Sequence, residues 1–176
     1  TIRVISNDLD NKKNLDHNKS PKKFDFYNLE NLSSKNDFIK ARAESDSLAL
    51  KKKFSDTSIF KKNSPSNSSC KSLYSIAERI RYESLGIKML KGIEKNLKEN
   101  YNKIIELKRK DQLKTKDDVP IIEAFELYML KNFHNIQLNS LTNKMLNFWE
   151  NEFDQVIKKH IEFLKKNLEN QNEYSS

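Results

Sequence analysis

A chain of 176 residues with a net charge of +8, 36% hydrophobic and 33% charged residues is long enough for one domain with a real core and too short to expect two. Two glycines and three prolines leave little material for a turn-rich β protein, so the composition predicts an all-α fold. One cysteine, Cys70, excludes an intrachain disulfide; no apolar run approaches the ~20 residues of a membrane span, and Ile2-Arg-Val-Ile5 is too short for a signal-peptide core.

These features together predict a cytoplasmic protein with no membrane partner. The positive charge would ordinarily point to nucleic acid or an anionic surface. The chain is rich in Lys, Asn and Ile, whose codons are A- and T-rich, and poor in residues whose codons are not, so a biased genome accounts for much of the basicity. Clusters such as Lys51-Lys52-Lys53 and Lys108-Arg109-Lys110 read as solvated faces. Nucleic acid is therefore not the expected partner, although a basic helical nucleic-acid-binding protein stands as an alternative reading.

Residues 1–32 read as a short strand-like start, TIRVI, followed by a polar linker with Asn11-Lys-Lys-Asn14 and Ser20-Pro21 as breakers. A helical domain of about four to five helices is expected over residues 33–169. Ser33 or Ser34 caps its first helix, of about 20 residues, with apolar positions Phe38, Ile39, Leu48, Ala49, Leu50 and Phe54. Asn63-Ser-Pro-Ser-Asn-Ser-Ser69 reads as a loop.

Ile76, Ile80, Glu83, Ile87, Leu90, Glu94, Leu97, Tyr101 and Ile104 then recur in steps of four and three, which predicts one long central helix of about 30 residues, or about 45 Å. Both glycines of the chain fall inside it, each at a cost of about 1 kcal/mol relative to alanine. On a helical wheel Gly86 lies about 40° from Leu90, inside the apolar stripe, and Gly92 about 160° away, on the far side. Gly86 would let a crossing helix approach the backbone closely, and Gly92 would do the same for a second neighbour. Arg79 and Glu83 share the stripe at i,i+4, while Arg81 points elsewhere. The pair reads as solvated, or else as a specificity contact against Asp46 or Arg42 of the first helix.

Asp117-Asp118-Val119-Pro120 opens the next helix, continued by Ile121, Phe125, Tyr128 or Met129, and Phe133. The block from Leu141 to Leu168 carries Met145, Phe148, Trp149, Phe153 and Ile161 and reads as two helices meeting near Asn151. Residues 170–176 read as a disordered tail.

Catalytic signatures are missing. No phosphate-cradling loop follows the glycines. His17, His134 and His160 lack ligand spacing and read as surface or capping residues. Cys70 sits in the serine-rich loop with no base nearby. Glu123 and Glu126 are ordinary dipole partners. The metal-dependent adhesion pattern Asp-x-Ser-x-Ser is absent, since Asp56-Thr-Ser58 continues as Ile59-Phe60. No catalytic residue, bound cofactor or metal ligand is expected.

The glycine-bearing stretch nevertheless has a relative. Glu78-x-x-Arg81-x-Glu83-x-x-Gly86, with Gly92 and Asn96-Leu97, resembles E-Q-A-R-V-E-A-I-G...G-x-x-x-N-L of the CobT subunit family of aerobic, ATP-dependent cobaltochelatase. Arg42-Ala-Glu-Ser-Asp46-Ser-Leu-Ala-Leu-Lys51 resembles that family's R-G-x-A-D-S-M-A-L-K. Asp118-Val-Pro120-Ile121-Ile-Glu-Ala124-Phe-Glu-Leu127 resembles its D-x-P-I-x-x-A-x-x-L, and Met145-Leu-Asn-Phe-Trp149 its M-V-D-L-W. Ile2-Arg-Val-Ile5 is similar to the strand-like E-L-E-V-T before the linker. Each motif is weak alone; four in one order with compatible gaps are not.

Two motifs depart from the pattern: R-G-H is Arg42-Ala43-Glu44 here, and G-A-R-R-M is Gly86-Ile-Lys-Met-Leu90. The family chain is also longer, with an added N-terminal helical stretch, an acidic linker and a C-terminal von Willebrand factor A-type domain, so this sequence looks like the N-terminal helical part of such a subunit, or a fragment.

The resemblance implies a non-catalytic adaptor in the complex that inserts Co2+ into hydrogenobyrinic acid a,c-diamide during cobalamin synthesis. The complex would use ATP, Mg2+ and Co2+. Its partners would be a CobS-type AAA+ ATPase and a CobN-type large subunit. Arg81, Glu83, Gly86, Gly92 and Asn96 would form the packing and docking core, supported by Asp46 and Trp149. A self-associating coiled coil through the Ile76 to Ile104 seam is the remaining alternative, although Glu83 and Glu94 on that seam weaken it.

Overall fold

The computed structural model describes residues 34–108, 113 and 115–175. Among them are nine α-helices, one 3₁₀ turn and no strand, an all-α architecture. The expected N-terminal strand and linker lie outside the described residues.

Helix α1, Lys35–Phe54, begins where its capping chemistry dictates. Ser34 Oγ accepts from the Asp37 amide at 3.2 Å and Asp37 Oδ2 accepts from the Ser34 amide at 3.0 Å, while Lys51, Lys52 and Lys53 complement the dipole at the other end. Its inward face is the narrow row Ile39, Ala43, Asp46, Ala49 and Leu50. Two apolar positions expected on that face, Phe38 and Leu48, are instead about half exposed, at 51% and 52%.

A short helix α2, Thr57–Asn63, follows, capped by Asp56 through the Ser58 and Ile59 amides. The loop expected at 63–69 shrinks to the residues between Asn63 and Ser68, because Asn67 accepts from the amides of Ser69 and Cys70 and starts helix α3, Ser68–Met89. Cys70 is thus in the first turn of a helix, exposed, and not in a loop.

The long central helix is two helices. Leu90 is extended (φ −141°, ψ 118°) and separates α3 from α4, Lys91–Leu107. A straight rod of that length would meet α1 at one crossing only. The bend lets α3 and α4 both pack along α1. It also resets the helical register: α4 buries Ile93, Leu97, Tyr101 and Ile105, whereas Ile104, expected in the stripe, is 41% exposed.

After the 3₁₀ turn Lys116–Asp118, boxed by Thr115 and Asp118, Pro120 leads into α5, Ile121–Phe133. Asn135 ends that stretch at φ 53°, a left-handed conformation that asparagine tolerates. The C-terminal block is three helices rather than two: α6, Ser140–Asn147; α7, Glu150–Val156; and α8, Lys158–Lys166. The breaks fall at Phe148-Trp149 and at Ile157. None of these positions holds the Gly or Pro that marks a break in sequence.

Residues 170–175 of the expected disordered tail are ordered. Gln171–Tyr174 forms α9, with Gln171 and Tyr174 buried. Its polar residues find protein partners in place of water: Gln171 Nε2 donates to Glu78 Oε1 at 2.9 Å and the Tyr174 hydroxyl donates to the Ala77 carbonyl at 3.0 Å. Helix α3 is the centre of the fold, flanked by α1 and α4 on one side and by α5 on the other, with α6 and α7 stacked on α5. The main core runs through Leu50, Ile80, Leu97, Leu127, Met129 and Leu146.

Candidate functional site: a buried polar clamp around α3

From Glu78 to Gly86 every residue of α3 except Arg79 is buried. Two polar contacts and one backbone approach in this segment, with a third polar contact between α1 and α4, bind the surrounding helices, and they involve five of the seven residues singled out in sequence.

Arg81, 1% exposed, does not point away from the protein interior as its wheel position suggested. Its guanidinium forks onto Glu78, with Nε and Nη2 each donating at 2.8 Å to the two carboxylate oxygens. Its remaining donors reach the carbonyls of Phe54 at 2.5 Å and Leu168 at 2.7 Å. Phe54 is the last residue of α1, so the cation satisfies a carbonyl that the helix leaves orphaned and sits where the dipole favours positive charge. Glu78 also accepts from Ser55 Oγ at 2.5 Å and from Gln171. The pair therefore joins the middle of α3 to the last residue of α1 and the first of α9 in one hydrogen-bonded network, the condition under which a buried ion pair is tolerated.

Glu83 is buried as well, at 1% exposure, which corrects the solvated reading of its pairing with Arg79. Ser47 of α1 donates to Oε1 and Tyr101 of α4 donates to Oε2, each at 2.6 Å. Burial pushes the Glu83 carboxyl above its ordinary range, while nearby Arg79 and the two hydroxyls pull it back. The Tyr101 hydroxyl is raised by the same burial and by Glu83. Arg79 itself turns to α5 and meets Glu126 at 2.6 Å. Burial works against its charge, but Tyr101, Glu126 and Glu83 outweigh it and hold the guanidinium above its usual value.

Asp46 and Asn96 form the third contact, between α1 and α4: Asn96 Nδ2 donates to Asp46 Oδ2 at 2.6 Å. Gly86 supplies the backbone approach. A β-carbon placed there would lie 2.4 Å from Leu50 Cδ1, so the expected close crossing of α1 is real. Gly92 is the correction: it is exposed, and a β-carbon placed there would meet nothing within 4 Å, because the bend at Leu90 carries the start of α4 away from a second neighbour.

Trp149 stands apart from this clamp. Its indole donates to the Val119 carbonyl at 3.0 Å, its ring stacks on Phe153, and Lys116 Nζ lies 4.1 Å over its centroid, so it fastens α7 to the turn before α5.

Five participants were not singled out as site residues: Ser47, Ser55, Tyr101, Glu126 and Gln171. Glu78 stood in the motif without a role, and its spacing of three from Arg81 was the available signal. His134 differs from its expected surface or capping role in one respect. It does stand at the C-terminal cap of α5, but it is 2% exposed beside Tyr101, with neither ring nitrogen hydrogen-bonded. His160 is exposed.

Among the described residues no three His, Cys, Asp or Glu side chains gather in a metal-holding group, and no helix is long and apolar enough to cross a membrane. An open groove of about 660 Å³ runs between the start of α2 and α9, lined by Asp56, Ile59, Asn170 and Gln171. The arrangement binds helices to one another.

No curated protein and no solved structure matches the chain. A family model does, that of the cobalamin biosynthesis protein CobT, over residues 1–176. With that model matched from end to end, the chain belongs to the cobalamin biosynthesis CobT family.

Proposed function

We propose that this chain is an adaptor subunit of a cytoplasmic cobaltochelatase, coupling ATP turnover on an AAA+ partner to the insertion of Co2+ into hydrogenobyrinic acid a,c-diamide by a large subunit. The family match over the whole chain carries this reading, since membership implies a role in cobalamin biosynthesis. The clamp supports it. A part that transmits force between two partners needs helices that move as one body, and hydrogen-bonded buried polar contacts fix one packing arrangement more narrowly than apolar contacts alone. In this reading ATP and Mg2+ belong to the ATPase, Co2+ is substrate, and this chain contributes surface and rigidity.

Reconstitution tests it. Purified large and ATPase subunits are incubated with ATP, Mg2+, Co2+ and the corrin substrate, with and without the chain, and the corrin absorption spectrum is followed. Cobalt insertion that depends on the chain, with no change in the ATPase subunit's turnover measured alone, is the expected outcome. Insertion at the same rate without it would overturn the reading.

A further inference from the structure

The bend between α3 and α4 does more than fit two helices to α1. Helical register would put Leu90 at the centre of the buried stripe, between Gly86 and Leu97. Its extended backbone instead swings it out, leaving Leu90 46% and its neighbour Met89 41% exposed. Residues 88 to 92, Lys-Met-Leu-Lys-Gly, are exposed without interruption.

The apolar pair is ringed by one sign of charge. Lys88, Lys91 and Lys95 are all exposed, and Lys91 acts on the Glu94 carboxylate. The one acid from Ser84 to Lys95 is Glu94, which is occupied by Lys98 at 2.8 Å. Gly92, with open space where a β-carbon would stand, keeps the surface beside Leu90 low, so an incoming chain can lie against the backbone. The bend packs α3 and α4 along α1 and leaves Leu90 and Met89 about half exposed beside the open space at Gly92.

We infer that the elbow formed by Lys88, Met89, Leu90, Lys91, Gly92 and Lys95 is a docking surface for a protein partner, whose contacting segment is acidic with apolar residues at its centre. The charge selects the occupant: three exposed lysines and one acid, already bonded to Lys98, around two apolar side chains repel a second copy of the same patch and complement carboxylates around a small apolar knob. Apolar side chains at the centre of such a contact supply affinity, and the rim charges supply association rate and salt sensitivity. This surface rests on the adaptor reading above, in which the ATPase or the large subunit carries the acidic segment.

The test uses the full chain and four purified variants: Met89→Ser/Leu90→Ser, Lys88→Glu/Lys91→Glu/Lys95→Glu, Gly92→Leu, and the distant control Val156→Ser/Phe163→Ser, whose residues are exposed at 64% and 46%. All positions are on the surface, and circular dichroism and urea unfolding verify that each variant folds. Binding to the separately purified ATPase and large subunits is measured at low and at physiological salt. The expected result is a loss of about tenfold or more in affinity for one subunit in each of the three elbow variants, none in the control, and a flattened salt dependence in the lysine variant.

Undiminished binding by the elbow variants would overturn the surface while leaving the adaptor reading intact. A wild-type chain that binds neither subunit would overturn both. If wild type instead binds phosphatidylserine-containing vesicles, and loses this in the elbow variants, the occupant is a membrane and the protein partner is wrong.

Discussion

Leu50 of α1 fills the space over Gly86 of α3 in which a β-carbon would otherwise stand, 2.4 Å from its Cδ1 and 3.0 Å from its Cγ. Leu50 is wholly buried, so it cannot swing into solvent to make room. Gly86→Ala gains about 1 kcal/mol of helix propensity but forces Leu50 off its position, and overpacking of this kind costs about 1–3 kcal/mol. A net loss of stability is expected, seen as a lower urea midpoint with an unchanged m-value. In the background Leu50→Ala, where the obstructing atoms are gone, Gly86→Ala should become stabilising. A Gly86→Ala chain at least as stable as wild type would show that α1 yields at this crossing.

Gly92 predicts the opposite sign. Nothing stands near its missing β-carbon, and its φ is not positive, so alanine fits without strain. Gly92→Ala should raise stability by about 0.5–1 kcal/mol, by favouring the helix and narrowing the unfolded ensemble. Thermal unfolding of the two alanine variants side by side gives the comparison. Destabilisation at residue 92 would mean that α4 starts in a different geometry.

That contrast shows what the sequence carried and what it did not. The all-α class, the Ser34 cap and the first helix to Phe54 follow from local chemistry, and local chemistry is written in consecutive residues. Gly86 was legible because its place in the stripe depends only on the register up to it. Gly92 was not, since its surroundings depend on a bend at Leu90, a residue with good helix propensity and no breaking signal, imposed by the need of α3 and α4 to share α1. The clamp was legible in its members and not in its connections. Arg81 and Glu83 looked like the surface of an ordinary charged helix, because the carbonyls of Phe54 and Leu168 and the hydroxyls of Ser47 and Tyr101 that make their burial tolerable lie elsewhere in the chain. The C-terminal tail misled for the same reason: Gln171 and Tyr174 look like solvated residues until Glu78 and Ala77 are brought to them.

The Glu78–Arg81 pair, 2% and 1% exposed, has a large asymmetry between breaking it and removing it. Arg81→Met leaves a buried carboxylate with only Ser55 and Gln171 as donors and strips the Phe54 and Leu168 carbonyls, a change that costs about 3–5 kcal/mol. Against a typical domain stability of about 5–15 kcal/mol this is severe. Arg81→Lys should rescue little, because an ammonium cannot fork onto Glu78 and reach two carbonyls at once. The double variant Glu78→Met/Arg81→Met should be more stable than Arg81→Met alone. Urea unfolding of the cycle decides it: a single-variant loss under about 1 kcal/mol would mean that the pair is solvated.

His134 makes the fold acid-sensitive in a defined window. Burial pulls its imidazole from the ordinary 6.5 down to about 4, with Arg79 and Lys98 adding to the fall and the Ile80 carbonyl opposing it. No hydrogen bond of good geometry forms at either ring nitrogen, so the Ile80 carbonyl only partly offsets the burial. The unfolded chain therefore takes up a proton near pH 6.5 that the folded chain refuses until about pH 4, so protonation favours unfolding. Stability is complete above pH 6.5 and falls as the pH drops toward 4. At about 1.4 kcal/mol per pH unit the loss approaches about 3 kcal/mol. Glu83, also in the buried network, acts in the opposite sense. Its raised carboxyl binds a proton more readily in the folded state, adding stability on the acid side that is lost as the pH rises through its folded value. The two are separated by His134→Phe, which fills the same space with no titrating group. Urea unfolding of wild type and variant between pH 4 and pH 7.5 should show the wild type losing about 2–3 kcal/mol more than the variant on acidification. Parallel curves for the two proteins would place His134 in contact with water, outside the core.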